Sequence, residues 1–382
     1  MQWPKVSVIT ACYNSKEYIE ETIQSVLNQT YPNIEYIIVD GASTDGTLDI
    51  INKYRDRVQW VISEKDQGVY DAFNKGVKAA TGDIIQFLNS DDYYYNNDVI
   101  EEVATIFHGD KTVAMVYGNI RQFDDYDGFF CFRGKFTTLE HLKQGHMLPH
   151  NTLFVRRDLF KSLGLFCLDY KIAADFDFVI RCFKEYEMSA RYLDKTLVNF
   201  RLNGLSSNPL NQINTDLEIS SIIIKHFGGE SFSAKTPESE LEVVGKYYKL
   251  WLEMNLLHQK GITNSLHKLN IHKVAIFGTM KASLYMYEDL KKEGFEVALF
   301  LDNNSRMQNL KIRDVSVQSP LYLETNKVDA IIITIEKMND KAVKEQLQQI
   351  TGGNIPIYSW RQLIDMEYMN RRSWLTPERE EK

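Results

Sequence analysis

Two adjacent carboxylates, Asp91 and Asp92, follow the apolar run Ile84-Ile85-Gln86-Phe87-Leu88 by way of Asn89 and Ser90. Neighbouring aspartates repel each other and are tolerated best where a cation neutralises them. Their hard oxygens suit Mg²⁺ or Mn²⁺, and Mg²⁺ ordinarily arrives with substrate phosphates. An isolated Asp-Asp pair is more often a solvated turn, so the neighbouring loops decide between the readings. One of them, Asp40-Gly41-Ala42-Ser43-Thr44-Asp45-Gly46-Thr47, crowds carboxylates, hydroxyls and glycines behind another apolar run. In it, Asp45 fits a helix cap as well as a ligand contact. Asp66, Asp71, Asn74 and Lys75 gather around a third such junction; Asp71 and Lys75, four apart, also fit a plain helical ion pair. Further on, Asp175 and Asp177 are two apart, so on a helix they point in different directions and only one can face a given substrate.

These loops need a common edge to act together. Val6-Ser7-Val8-Ile9-Thr10 and Ile34 to Val39 read as buried strands, as do Val58 to Ser63 and the run before Asn89. Helical spacing separates them, over Glu17 to Leu27, Leu48 to Tyr54 and Val69 to Ala80. Alternation of strand, polar loop and helix predicts a doubly wound, mostly parallel α/β sheet. Its polar loops lie past the strand ends, where open sheets bind ligands. Later strands are expected at Val113 to Asn119 and Leu193 to Phe200, with Arg201 to Ser207 a loop able to close over a ligand. Phe129, Phe130, Phe132 and Phe136 could line the same region, though aromatics in such numbers are more often core. His150 follows Pro149 at a strand start facing the site. A lone histidine is most often structural, yet this position leaves a metal or phosphate role open.

Five stretches in this order resemble the glycosyltransferases of family 2, with the GT-A fold: Val6 to Asn14, Val39 to Thr47, Asp66 to Gly76, Asn89 to Asp92, and Ala173 to Asp177. The resemblance covers about the first two hundred residues and implies a metal-dependent, inverting transfer of sugar from a nucleotide donor, most readily a UDP-sugar. It implies that Thr10, Tyr13 and Asn14 hold base and ribose, and that Asp40 accepts from uracil. It turns Asp66 and Asp71 towards the donor and sets Lys75 beside the phosphates, with Asn74 of the same cluster and Asp45, if not a cap, as further donor contacts. Asp92 would hold Mn²⁺ or Mg²⁺, with Asp91 near the ribose or a metal-bound water. Asp175 would be the base that deprotonates the acceptor; Ala174 stands where the family usually has Glu. Asp177 is expected as a carboxylate favoured by the helix dipole. The implied acceptor is a saccharide or a lipid-linked molecule of bacterial surface polysaccharide or glycolipid assembly.

The 382 residues exceed what one core usually serves. We expect a GT-A domain over 1–208, a helical packing region over 209–270, a small Rossmann-like α/β domain over 271–370 and a charged tail over 371–382. An apolar stripe of Tyr247, Tyr248, Leu250, Trp251, Met254 and Leu257 is expected to pack on the first domain or a second subunit. The last domain's first turn, Gly278-Thr279-Met280-Lys281-Ala282-Ser283, lacks two of the three glycines of a dinucleotide fingerprint. A nicotinamide-dependent oxidoreductase centred on Asp302 therefore ranks below the transferase, as does a non-catalytic sugar-nucleotide-binding scaffold. Net charge of −8 argues against a nucleic-acid partner. Four scattered cysteines and no apolar run of membrane length lead us to expect a cytoplasmic protein whose membrane contact, if any, is peripheral.

Overall fold

The computed structural model describes residues 2–125, 128–202, 212–228, 237–257, 261–335 and 340–372. The chain forms two compact units, Met1–Ser233 and Ala234–Lys382. In the first, β1 (Val6–Cys12), α1 (Ile19–Leu27), β2 (Ile34–Asp40), α2 (Thr47–Asn52), β3 (Trp60–Ser63), α3 (Val69–Ala79) and β4 (Ile84–Phe87) alternate as expected. β1 is buried along its whole length, because β2 and β4 flank it in parallel and helices cover both faces. Ile19, Ile23 and Val26 of α1 pack with Val6 and Val8 on one side. On the other, α3 presses close through Gly76, where a Cβ would stand 2.4 Å from Ile9. Cys12 is level with Asp40 in the β1–β2 register, so the loops leave the sheet from one edge.

The unit continues with β5 (Tyr93–Tyr94), α4 (Val99–Gly109), β6 (Met115–Phe123), β7 (Phe130–Arg133), α5 (Leu139–Lys143), β8 (Phe154–Arg156), α6 (Asp158–Leu163), α7 (Ala174–Tyr186), β9 (Ala190–Arg201) and α8 (Gln212–Phe227). Among the described residues its sheet has nine strands, in the order β3-β2-β1-β4-β8-β6-β9-β5 with β7 beside β6. β8 runs antiparallel to both β4 and β6, so the sheet is doubly wound but mixed. The aromatic stretch near residue 130, which has no clear period, holds β7. It is set by cross-strand pairing such as Phe123 with Phe130 and by Arg121 stacking 5.0 Å from the Phe130 ring centre.

The two long helices described in the 209–270 segment join different units. Ile222 and Ile223 of α8 enter the core of the first unit with Phe178 and Phe183. α9 (Pro237–Leu257) belongs to the second, where its stripe meets that unit's own tryptophan: Tyr248 and Trp251 lie 4.8 and 5.5 Å from Trp360, centre to centre. Within its own unit the stripe therefore packs on a large indole more than a hundred residues further along the chain. After α10 (Asn264–Lys268), β10 (Lys273–Phe277), α11 (Lys281–Lys292), β11 (Glu296–Leu301), β12 (Lys311–Ile312), β13 (Val315–Gln318), β14 (Ala330–Ile333), α12 (Asp340–Thr351), β15 (Ile357–Ser359) and α13 (Trp360–Arg372) complete the second unit. Its sheet order is β12-β13-β11-β10-β14-β15. Asp302 accepts hydrogen bonds from the Thr279 hydroxyl and, at 2.8 Å, from the Asn304 amide, so its carboxylate closes the loops around it. No helix among the described residues is long and apolar enough to cross a membrane. Most of the expected closing loop, from residue 203, and the tail beyond 372 lie outside the described residues.

Candidate active site

A cavity of about 670 Å³ opens in the first unit. Tyr13, Asn14 and Ser15 reach it from the loop after β1, and Asp66 and Gly68 from the loop after β3. Asn89, Ser90 and Asp91 follow β4, and Tyr70, His150, Asp175, Thr215 and Ile219 are among the other residues of the wall. Backbone and hydroxyl bonds lace the loops together. Asn14, in the left-handed region at φ 49°, accepts from the Thr44 amide at 2.9 Å and donates its own to Ser43 Oγ at 2.8 Å. Ser15 Oγ meets Ser90 Oγ at 2.8 Å. Asp66 accepts from Gly68 N at 3.0 Å and lies flat against Gly41, where a Cβ would stand 2.5 Å from Asp66 Oδ2 and 3.3 Å from the Tyr13 ring.

Seven of the residues assigned from sequence turn elsewhere. Thr10 is fully buried and meets the Tyr36 hydroxyl at 3.2 Å. Asp40, equally buried, accepts from Ser63 Oγ at 2.7 Å and from Ser43 N, bracing the loop rather than facing the cavity. Asp45 accepts from Thr47 Oγ1 at 2.6 Å, Thr47 N at 2.9 Å and Lys16 N at 3.0 Å, bonds that hold its carboxyl below the usual range. Asp71 accepts from Gln67 N at 3.1 Å, and Lys75 pairs with Glu64 and Asp71 at 2.9 and 3.5 Å. Asn74 makes a two-way bond with the Phe166 backbone, 3.0 Å each way, pinning α3 to the loop after α6. None of Phe129, Phe130, Phe132 or Phe136 lines the cavity.

The seventh is Asp92, and here the two adjacent carboxylates divide. Asp92 is fully buried and accepts from Asn151 Nδ2 at 3.0 Å, Arg201 N at 3.1 Å and Asn89 Nδ2 at 3.2 Å. Burial, and then the charge of Asp91, push its carboxyl up against those three bonds. Asp91 is the member that lines the cavity. Burial raises its carboxyl too, only partly offset by a backbone hydrogen bond and then by the charges of Arg201 and His150. The Arg201 side chain anchors the turn: it donates to Asp91 O at 3.2 Å and to Glu21 Oε2 at 2.6 Å, and its guanidinium carbon lies 4.3 Å from the Tyr18 ring centre.

Asp175 sits at the start of α7 between two partners. The Tyr70 hydroxyl lies 2.9 Å from its Oδ1, and His150 Nδ1 lies 3.1 Å from its Oδ2. That imidazole nitrogen is therefore taken by a carboxylate. Tyr70 and Phe73, with Phe166 and Phe178, form a packed aromatic floor below. Glu218 of α8 accepts the amides of Lys171, Ile172 and Ala173 at 2.8, 2.9 and 2.9 Å. Ala174 is fully buried, so the carboxylate favoured by this helix start is delivered from another helix. Asp177 faces away, holding Arg181 Nε and His226 Nε2 at 2.9 Å each and Lys225 Nζ at 3.1 Å; cations rather than the dipole alone explain its place.

The model of the family described as glycosyl transferase family 2 matches residues 7–164. A PGL/p-HBAD biosynthesis glycosyltransferase of Mycobacterium bovis is 34% identical over 213 residues, covering 55% of this chain and 82% of that protein. The chain belongs to glycosyltransferase family 2. An uncharacterized glycosyltransferase of Haemophilus influenzae is 32% identical over 212 residues, 54% of this glycosyltransferase and 82% of its relative. Residues 270–354, in the second unit, match the family C2185-like, N-terminal. Among solved structures, S. aureus TarS 1-349 in complex with UDP-GlcNAc is similar at 22% identity and a TM-score of 0.47, over 63% of this chain and 80% of that one. The mixed doubly wound sheet of the first unit is the GT-A fold of the family.

Sequence reasoning missed Tyr70, Glu218, Arg201 and the Ser15–Ser90 contact in this glycosyltransferase. Tyr70 carries no local signal beyond its place in an apolar helix face. Glu218 and Arg201 act on residues 45 and 110 positions away, and no spacing rule reaches that far.

Proposed function

We propose that the enzyme transfers a sugar from a nucleoside-diphosphate sugar, a UDP-sugar by family resemblance, to a hydroxyl of a saccharide or lipid-linked acceptor, with inversion. One observation carries this reading: the carboxylates Asp91 and Asp175 line the same cavity as Tyr13 and Asp66. Asp66 offers an acceptor for a base or ribose beside the Tyr13 ring. Asp175 takes the acceptor's proton as the acceptor oxygen bonds to the anomeric carbon, and the bond to the diphosphate breaks with its electron pair leaving on the nucleotide. The interlaced loops and the aromatic floor orient these groups.

The residues present fit a divalent ion. Asp91 is a hard carboxylate whose burial calls for positive charge. Among the described residues no three His, Cys, Asp or Glu side chains converge, which suits an ion completed by donor phosphates and water rather than by a protein cage. Mn²⁺ or Mg²⁺, when bound, would carry charge that develops on the diphosphate. Asp91, not Asp92, would hold it.

The test is nucleoside-diphosphate release from UDP-, GDP- and dTDP-sugars with Mn²⁺ or Mg²⁺, with and without chelator. Release from one donor, abolished by chelator, supports the reading; no nucleotide binding at all, read by calorimetry, sinks it. Asp91→Ala is expected to remove the metal stimulation with the melting temperature held. Asp92→Ala is expected instead to lower the melting temperature, because it orphans two buried donors, Asn151 Nδ2 and Arg201 N, and a half-buried one, Asn89 Nδ2. Gly41→Ala should weaken UDP binding about tenfold, since the new methyl displaces Asp66 and Tyr13; unchanged affinity would remove those two residues from the nucleotide site.

A further inference from the structure

Tyr70 has one phenolic hydrogen and two acceptors within reach. Its hydroxyl lies 2.6 Å from the Ile172 carbonyl and 2.9 Å from Asp175 Oδ1. The residue is only 7% exposed, and an unpaired phenol there is costly. We propose that Tyr70 is a positioning residue that keeps Asp175 hydrogen-bonded in both of its protonation states. This rests on Asp175 being the base.

When Asp175 is a carboxylate, the phenol donates to Oδ1, a charge-assisted bond that fixes the oxygen carrying the charge. When Asp175 has gained the acceptor's proton, that attraction falls away and the Ile172 carbonyl takes the phenol hydrogen. The phenol oxygen then faces Oδ1 with its lone pairs and accepts from a proton held there. The change needs only a rotation about the C–O bond, and neither heavy atom moves. Burial, then the charge of Asp175, keep the phenol itself protonated well past neutrality, so it serves as a donor throughout the working range. Its position is set from three sides: an edge contact with Phe73 and a tilted one with Phe166 hold the ring, and Glu218, by binding the amides of Ile172 and Ala173, holds the alternative acceptor. The charged or titratable groups around Asp175 are Tyr70 from α3, His150 from the turn before β8, Glu218 from α8 and, across the cavity, Asp91 and Asp66.

Tyr70→Phe keeps the ring and removes both bonds. Losing one charge-assisted bond to the carboxylate should lower kcat about tenfold to a hundredfold with donor KM unchanged, and raise the acid limb of the pH profile by roughly 1–2 pH units. Infrared titration of the whole protein, with the Asp175 band assigned by its loss in Asp175→Asn, reads the same shift with no donor present. Fluorinated tyrosine at position 70, a more acidic donor, should move the midpoint the opposite way, which guards against a Phe variant that folds badly. UDP binding by calorimetry is the fold control. An Asp175 midpoint that is unmoved in both variants overturns this inference alone, since Asp175→Asn inactivity would still stand. Full turnover by Asp175→Asn would instead overturn the assignment of the base.

Discussion

Asp175→Asn is expected to lower kcat by about 10²- to 10⁴-fold, the usual contribution of a positioned general base. The substitution keeps size and shape. The amide oxygen can still accept from Tyr70 on one side, so the floor of Phe73, Phe166 and Phe178 has no reason to move. What is lost is the capacity to take a proton from an acceptor whose hydroxyl is otherwise a poor nucleophile at neutral pH. Rates of nucleoside-diphosphate release with acceptor present are the measurement. Calorimetric UDP affinity and melting temperature, both near wild type, separate lost chemistry from lost structure. Retained turnover would mean that another group, such as His150, accepts the proton.

The largest stability effect is expected at Asp177. The carboxylate is 1% exposed and holds Arg181, Lys225 and His226, joining α7 to α8. Burial raises its carboxyl, but the His226 bond and the Arg181 and Lys225 charges outweigh that and hold it well below the usual range. Removing one member of such a cluster typically costs about 3–5 kcal/mol. The Lys225 side chain is half exposed, so solvent screening places the expected loss for Asp177→Ala near the lower end, about 3 kcal/mol. A depressed folded-state value means that the contribution is fully present above the unfolded carboxyl's pKa, near about 3.9. It is lost as pH falls below that and through the folded value. Urea denaturation, with hydrogen exchange followed in α7 and α8, should therefore show a gap between wild type and variant that is full at pH 7 and narrows in strong acid. A gap that is absent at pH 7 would refute the cluster's role. Because Glu218 on α8 also holds the amides before Asp175, loosening α8 should reduce turnover as well.

The fold was legible in the sequence where the cause is local. Val6 to Thr10, Ile34 to Val39 and the run before Asn89 become strands because β-branched and apolar residues with helices between them can bury their faces in only a few ways. β7 was not legible, since its strand depends on pairing with β6 rather than on its own period. Family resemblance picked out loops that meet around one cavity, but not which side chains within them face it. Of the residues assigned to the site, Tyr13, Asn14, Asp66, Asp91, His150 and Asp175 reach the cavity, and the rest are spent on bracing it.

Thr10 and Tyr13 show the difference at one strand end. Thr10 lies within a strand that stays buried to Cys12 and bonds Tyr36, while Tyr13, just past the strand end, is 63% exposed at the cavity. Asp91 and Asp92 show it more sharply. By itself the sequence determined that two carboxylates would emerge at the end of β4, because an apolar run followed by polar residues ends a strand at a sheet edge. It could not determine which one faces a ligand, since neighbouring side chains leave the backbone in different directions. That choice belongs to the tertiary structure: the Arg201 amide and the Asn151 side chain, 109 and 59 residues away in the chain, claim the buried carboxylate and leave its neighbour to the cavity.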